Sequence, residues 1–427
     1  MKKLIINTKL LTFYILSLSI LILIRDVGGV GIPKTVFIGL CFLCMSIANK
    51  ENLIYMIVFT IPFLCGLPGT YIMLFALLMF LFKSRRVNRS ALFLFVMSCV
   101  LEIFASFFLQ DNYIITIVQY LSFIGILIFM IYDNKLIDYQ LCIKLFNLGV
   151  LIVGFAILLI AFKSAPSNWQ YMFSRGWFRI GDTQLEENSE MMLVLNANSM
   201  AYFCLVGISC SLLLLEITGN QRKKLIYVIE TCLFIIIAIM TNSRTFILML
   251  LIIFILYLKS IKVSIKSIVT LTLVVLCIGI FGWVIINNNT YLLKGIIGRF
   301  NDSTIGSAGG RTELFPLYFA RWSKNIRTVL FGSGVAGYSE VYKVNDSIHN
   351  GLLQIIVCQG ICGTIIMAFI LLQPICVSIQ RRVSLRYYLP LISIILFTQT
   401  IQFLNPCFLM LPYIIGVLAL KEGEKRR

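Results

Sequence analysis

The fold is decided by the sequence LIYVIETCLFIIIAIMTNSRTFILMLLIIFILYL at residues 225–258. It holds two apolar runs of the kind that cross a bilayer as α-helices, for which about 20 largely apolar residues are needed. Only the polar triplet Asn242-Ser243-Arg244 separates the runs, and basic residues flank the pair at 222–224 and at Lys259. Because lysine and arginine collect in cytoplasmic connections, this pattern predicts two spans joined by a short external turn.

Apolar runs of this kind recur along the whole chain. Its 427 residues are 59% hydrophobic and 13% charged, and the mean hydropathy is +0.96, whereas soluble domains have roughly 45–50% apolar and about 25% charged residues. Several runs are short, so we predict an all-α integral membrane protein with about 12–14 transmembrane helices in a single polytopic domain, residues 1–427. The predicted spans lie near 10–24, 34–49, 52–66, 69–83, 91–109, 113–132, 142–162, 192–215, 225–241, 245–258, 267–286, 348–372, 387–403 and 406–420.

The formal net charge of +18 fits the same topology. With all of these spans and an internal N-terminus, every basic cluster falls in a cytoplasmic connection, as the positive-inside rule requires. The clusters lie within residues 2–9, 83–89, 222–224, 259–266, 381–386 and 425–427. The charge therefore needs no nucleic-acid partner. It predicts a multi-pass protein of the inner (plasma) membrane with both termini in the cytoplasm.

Two long connections fall outside in this topology, approximately residues 163–191 and 287–347. Long connections in compact domains are usually functional or disordered. The second contains an amphipathic stretch at 313–327, in which apolar residues recur at helical spacing, namely Leu314, Leu317, Tyr318 and Trp322. We predict an interfacial helix over the outer leaflet. The alternative interpretation is a structural plug or a solvated loop.

Several kinds of chemistry find little support in the sequence. The 13 cysteines lie mostly inside apolar runs, and with one histidine in the chain the Cys41 and Cys44 pair lacks the further ligands that a zinc site needs. The chain contains no phosphate-binding loop of an ATP-driven pump and no Asp-x-Asp on an outer connection for a divalent cation. We therefore expect neither a metal nor a cofactor.

Ionisable residues within the spans are few. Glu102 lies in the middle of a span, and Glu230 lies near a predicted helix start. An ion-coupled transporter usually carries several intramembrane carboxylates or histidines. Glu102 is as compatible with pairing to a neighbouring helix as with carrying a proton, and the sequence leaves both interpretations open.

Three polar motifs face outward in the predicted topology: Asn242-Ser243-Arg244, Gly309-Gly310-Arg311 and His349-Asn350. Each has a plain structural interpretation, namely an arginine that reaches the headgroups, a simple turn, and an ordinary interfacial histidine. Together they indicate a site. The planar fork of arginine suits phosphate, glycine allows close backbone approach, and histidine suits acid–base work near neutral pH. The combination fits a lipid-diphosphate substrate and deprotonation of an acceptor.

At these residues the sequence resembles the bacterial O-antigen polymerase and O-antigen ligase superfamily. The resemblance covers roughly residues 190–365 and rests on short motifs in a characteristic order. These motifs are Asn196-Ala197-Asn198-Ser199, Thr241-Asn242-Ser243-Arg244-Thr245, Gly310-Arg311, Leu330-Phe331-Gly332-Ser333-Gly334, His349-Asn350, and Gly360 with Gly363. The resemblance implies a fold of the C-type glycosyltransferase kind. It also implies metal-independent transfer of a glycan from undecaprenyl diphosphate to a hydroxyl on the outer face of the membrane.

The resemblance also implies roles for individual residues. Arg244 and Arg311 would neutralise the diphosphate leaving group, and His349 would activate or position the attacking hydroxyl. Further substrate contacts are expected from the motif residues Asn198, Gly310 and Asn350, and from Arg175 and Arg179, which match no firm motif.

A polymerase and a ligase differ in the molecule that accepts the glycan. We favour a polymerase of O-antigen or capsule repeat units, since the external connection is of modest length. The alternatives are a ligase acting on lipid A–core, a flippase or other transporter, and a non-catalytic scaffold. The expected partners are an undecaprenyl-diphosphate-linked oligosaccharide, membrane lipids and a chain-length regulator protein.

Overall fold

The computed structural model describes residues 7–84, 86–107, 114–133, 137–164, 193, 195–241, 243–260, 311–335, 337–344 and 348–426. Throughout these ranges the regular structure is helical and no strand is present, which confirms the predicted all-α class. Six helices in these ranges are long and apolar enough to cross a membrane: α1 with its π-helical extension, α5, α6, α7, α8 and α14.

The α-helices are α1 Thr8–Ile22, α2 Lys34–Ile47, α3 Lys50–Thr60, α4 Gly69–Lys83, α5 Arg89–Ser106, α6 Ile114–Ile131, α7 Tyr139–Ser164, α8 Ala197–Ile217, α9 Gln221–Met240, α10 Arg244–Ser260, α11 Arg311–Trp322, α12 Ile326–Phe331, α13 Tyr338–Tyr342, α14 Gly351–Gln380, α15 Leu389–Thr398 and α16 Pro412–Lys425. A π-helix, Leu23–Val27, continues α1. Short 3₁₀ helices occupy Ile61–Cys65, Leu385–Tyr388 and Cys407–Met410.

A helix is present at each predicted span that falls within the described residues. The predicted span at 267–286 and the connection at 163–191 lie largely or wholly outside them. The outer surface of the helices is apolar, with side chains such as Phe82 and Phe107 exposed by 84% and 78%. Exposed large apolar side chains are expected where a helix faces lipid rather than water.

Proline explains why several predicted spans are short α-helices. The α-helical part of α3 ends at Thr60, and Pro62 lies in the 3₁₀ helix that follows. Helices α15 and α16 carry Pro390 and Pro412 in their first turns. A proline has no N–H to donate and a fixed φ, so it fits the start of a helix and interrupts its interior.

Helix α8 forms the centre of the assembly, and 83% of the residues in its most apolar stretch are buried. It packs against α7, α9, α10 and α15. A helix that is apolar on all sides is expected in such a central position. Glu230, which was predicted near a helix start, lies instead in the middle of α9, because that helix already begins at Gln221.

The amphipathic stretch at 313–327 forms two helices, so the prediction of one continuous helix was wrong. α11 ends at Trp322 and α12 begins at Ile326, where the side chain of Asn325 caps α12 by accepting the N–H of Arg327 at 2.9 Å. Asparagine favours such caps over helix interiors. Tyr318 is fully buried against α13, whose Tyr338 and Tyr342 rings lie 6.4 and 6.0 Å away. Tyr318 and Trp322 of the predicted apolar face therefore pack on protein, whereas Leu317 is exposed.

Candidate functional site

Two of the polar motifs meet at one end of the helix assembly. The hydroxyl of Ser243 donates a hydrogen bond to Oδ1 of Asn198 across 3.0 Å. Asn198 lies in the first turn of α8, and Ser243 directly precedes α10, which begins at Arg244. At the opposite end, the Tyr257 hydroxyl of α10 donates to Glu216 of α8 at 2.8 Å. These two bonds hold α8 and α10 parallel, so both N-termini lie at the same end.

The third motif starts α14. Asn350 is the N-cap of this helix and accepts the N–H of Leu353 at 2.9 Å. Its amide nitrogen donates to the carbonyl oxygen of Gln399, which follows the last residue of α15, at 3.0 Å. His349, which is partly buried, is the preceding residue. The histidine is therefore positioned between the start of α14 and the end of α15.

Helix α15 connects the Asn198–Ser243 contact with the His349-Asn350 motif. Phe397 in its last turn lies 5.6 Å, centroid to centroid, from the ring of Tyr202 in the second turn of α8. Asn198, Arg244, His349 and Asn350 thus lie at one end of the assembly, as do the N-termini of α8, α10 and α14. Each helix N-terminus carries a partial positive charge, which favours a bound anion.

Glycines allow the segment made of residues 326–335 and 337–342 to dock on α14. Gly360 breaks α14 with a φ of 61°, and Ser333 and Gly334 donate their N–H groups to the carbonyl oxygens of Val357 and Cys358 at 3.2 and 2.9 Å. A Cβ atom on Gly360 would lie 2.5 Å from the Leu330 carbonyl oxygen. Only glycine fits such a positive φ with backbone this close. The motif glycines therefore serve packing between two backbones.

The Tyr342 hydroxyl strengthens this contact. It donates to the carbonyl oxygen of Val357 at 2.9 Å. Burial raises the pKa of the Tyr342 hydroxyl above its ordinary value, so the hydroxyl keeps its proton and remains a donor at neutral pH.

Glu102 links α5 to α14 beside the break at Gly360. Its carboxylate is fully buried and accepts the N–H of Val335, the side-chain amide of Gln359 and the hydroxyl of Ser106, at 2.8, 2.8 and 3.4 Å. A carboxylate is expensive to bury unless several donors surround it. Of the two interpretations left open for Glu102, the structure shows pairing with a neighbouring helix.

Residues 231–368 match the family model described as O-antigen ligase. Over these residues, which make up less than half of the chain, the resemblance to the O-antigen polymerase and ligase superfamily is confirmed. The matched region runs from within α9 to within α14 and includes Arg244, Arg311 and the His349-Asn350 pair. Members of the O-antigen ligase family are glycosyltransferase-like enzymes. No curated protein matches the chain.

Some of the predicted site residues are not placed by the structure. Arg175, Arg179 and Gly310 lie outside the described residues, and Arg311 is described only in its backbone, as the first residue of α11. Among the described residues, no three His, Cys, Asp or Glu side chains lie close enough together to hold a metal ion.

Sequence analysis missed two features near this end of the assembly. Gln354, one turn into α14, is fully buried and binds backbone beyond α15. Arg25 and Asp26 form a buried ion pair with Nε–Oδ1 and Nη2–Oδ2 distances of 2.5 and 2.7 Å, and the guanidinium lies over the ring of Phe37. Adjacent opposite charges at the end of the first apolar run were the signal for this pair.

Proposed function

We propose that this protein is a polymerase of lipid-linked surface polysaccharide. In this proposal it transfers a glycan from undecaprenyl diphosphate to a hydroxyl of another lipid-linked unit. The observation that carries the proposal is the arrangement at one end of the helix assembly. There Arg244, His349 and three helix N-termini, those of α8, α10 and α14, lie together. Permanent and partial positive charges suit the departing diphosphate, and an imidazole suits the attacking hydroxyl.

The proposed reaction follows from these groups. The acceptor oxygen attacks the anomeric carbon, the bond from that carbon to the diphosphate oxygen breaks, and the lipid diphosphate leaves with the bonding electrons. His349 accepts the proton of the acceptor hydroxyl and passes it to solvent. Arg244 and Arg311 bind the diphosphate, where the bidentate guanidinium matches two phosphate oxygens.

The two asparagines contribute differently in this proposal. Asn350 has its oxygen on the Leu353 N–H and its nitrogen on the Gln399 carbonyl, so it positions His349. Asn198 accepts from Ser243, and its amide nitrogen has no hydrogen-bond partner among the described residues. That nitrogen is available to donate to the substrate.

The same placement supports an outward-facing site in a bacterial plasma membrane. α10 begins at Arg244 and ends near Lys259, and the basic cluster that begins with Lys259 predicts the cytoplasmic side. The end that holds His349 then faces outward, and both chain termini are cytoplasmic.

A ligase that transfers the glycan to lipid A–core is the second candidate, and the family match over residues 231–368 supports it as much as it supports a polymerase. A transporter is less well supported. Its charged groups would line the interior of the spans, whereas the buried Glu102 and Glu230 are hydrogen-bonded between helices of the described chain.

Purified protein in detergent, where transport has no meaning, tests the proposal. Lipid-linked repeat units extracted from a strain lacking this gene serve as both donor and acceptor, and lengthening of the glycan is followed on gels. We expect a ladder of products. Transfer only after lipid A–core is added would identify a ligase. A correctly folded protein that lengthens neither acceptor would refute both enzymatic assignments.

A further inference from the structure

The connection between α15 and the 3₁₀ helix that precedes α16 lies beside His349. It comprises residues 399–406, Gln-Thr-Ile-Gln-Phe-Leu-Asn-Pro, and is called the 399–406 segment below. It lies outside the O-antigen ligase match, which ends at residue 368. Its backbone is irregular, so its N–H and carbonyl groups need partners from elsewhere in the protein.

Two amide side chains of α14 supply those partners. Asn350 donates to the Gln399 carbonyl at 3.0 Å, at the start of the segment. The Oε1 atom of Gln354 accepts the N–H groups of Phe403 and Leu404 at 2.8 Å each. Gln354 is fully buried, which makes these bonds stronger than they would be in water. The segment is therefore held at its start by Asn350 and near its middle by Gln354, at the beginning of the helix that follows His349.

Gly351 brings the two backbones together. A Cβ atom at this position would lie 2.8 Å from Cβ of Phe403 and 3.0 Å from the Thr398 carbonyl oxygen. Such distances leave no room for a side chain. The first turn of α14 and the 399–406 segment therefore pack directly against each other. His349 lies two residues before Gly351 and is therefore close to this contact.

The segment turns apolar side chains inward and amides outward. Phe403 and Leu404 are buried, whereas Gln402 and Asn405 are partly exposed. Within the described chain, neither of these two amide side chains forms a hydrogen bond. A primary amide offers two donors and one carbonyl acceptor, which match the mixed donor and acceptor character of sugar hydroxyls. The segment contains no charged residue, so it suits a neutral glycan better than a diphosphate.

We propose that the 399–406 segment forms the acceptor-glycan subsite, in which Gln402 and Asn405 hydrogen-bond the sugar whose hydroxyl attacks. This inference rests on the proposed function, because it takes His349 as the residue that receives the acceptor proton. The diphosphate is assigned to Arg244 and Arg311, while the segment is fastened to the start of α14 on the His349 side of the site. Both acceptors considered above, a lipid-linked unit and lipid A–core, present sugar hydroxyls.

The experiment separates donor from acceptor. The donor is the extracted lipid-linked repeat unit, and the acceptor is an alkyl glycoside of the same repeat unit, which lacks a diphosphate and cannot act as donor. In Gln402→Ala and Asn405→Ala we expect the acceptor KM to rise roughly 3- to 10-fold, from the loss of one hydrogen bond. The donor KM and kcat should change by less than about twofold on the same basis. Gln380→Ala, an exposed glutamine at the far end of α14, is the matched control and should leave all three constants unchanged.

Three outcomes would overturn the subsite: an unchanged acceptor KM in both folded variants, a donor KM that rises equally, or a fall in kcat alone. Folding is checked by size-exclusion chromatography and thermal melting in detergent. If the wild type lengthens nothing, binding of the released repeat-unit oligosaccharide is measured by saturation-transfer NMR. A signal that Gln402→Ala removes and Gln380→Ala retains would support the subsite while the polymerase assignment fails. A signal equal in both variants, or no signal in the wild type, would overturn it.

Discussion

The side-chain amide of Gln359 donates to Oε2 of Glu102 at 2.8 Å and joins α14 to α5 across a sequence separation of 257 residues. The other carboxylate oxygen accepts the backbone N–H of Val335 at 2.8 Å. One buried side chain thus links two helices of the assembly and the segment that contains Val335. Interhelical hydrogen bonds of this kind help to specify helix partners where the hydrophobic effect does not.

The first prediction concerns Glu102. Glu102→Leu should lower the stability by roughly 1–3 kcal/mol for each of the two donors that lose their acceptor, the N–H of Val335 and the amide of Gln359. Glu102→Gln keeps one acceptor oxygen and should cost less. Thermal melting in detergent measures both effects. A proton-carrying role predicts the reverse pattern, with Glu102→Gln fully folded and inactive.

The second prediction concerns the glycines at the break in α14. Gly360→Ala and Gly332→Ala should each destabilise the protein by more than about 2 kcal/mol, because each new Cβ would lie 2.1–2.5 Å from backbone atoms at a positive φ. Gly39→Ala is the matched control, since nothing lies within 4 Å of its Cβ position. In helix α2 that change should stabilise by roughly 0.5–1 kcal/mol. Equal melting temperatures for the three variants would contradict the proposed docking.

The third prediction concerns the reacting groups. Arg244→Ala, Arg311→Ala and His349→Ala should express normally and leave surface glycans of at most one repeat unit, because each removes charge stabilisation or the proton acceptor. The expected loss of kcat is roughly 100- to 1000-fold. Arg311→Lys should recover little, since a point charge does not reproduce the bidentate fork.

Gel profiles of surface polysaccharide and kcat of the purified enzyme measure these effects. Lys259→Ala, at the opposite end of α10, is the control and should give a normal ladder. Normal ladders in all three site variants would show that these residues are not catalytic.

The fourth prediction concerns Gln354. Gln354→Ala removes the acceptor for the Phe403 and Leu404 N–H groups and should weaken the 399–406 segment by roughly 1–3 kcal/mol. Gln354→Glu places a carboxylate oxygen where the amide oxygen Oε1 accepts these two N–H groups, and it should restore the KM for the acceptor glycan. Hydrogen exchange of the Phe403 and Leu404 amides, measured beside the acceptor KM, reports this directly. Exchange as slow in Gln354→Ala as in the wild type would show that Gln354 does not hold the 399–406 segment.

Local chemistry allowed much of the fold to be predicted from the sequence. Apolar runs gave the helices, and asparagines mark several of their starts, as at Asn196 before α8 and Asn350 before α14. The prediction at 313–327 rested on the spacing of apolar residues, whereas the side chain of Asn325 caps a new helix there. Periodicity identifies an apolar face and does not by itself reveal a cap within it.

The opening stretch at 225–258 shows what the sequence determined alone. Its two apolar runs and one polar triplet were sufficient to predict α9, a short turn and α10, since bilayer thickness and backbone hydrogen bonding act on each segment separately. Only the tertiary structure decided what the turn contacts. Three hydrogen bonds join residues that are distant in sequence: Ser243 to Asn198, Gln359 to Glu102, and the Phe403 N–H to Gln354. In lipid, side chains of similar polarity on many helices compete as partners, and only the packing of whole helices selects among them.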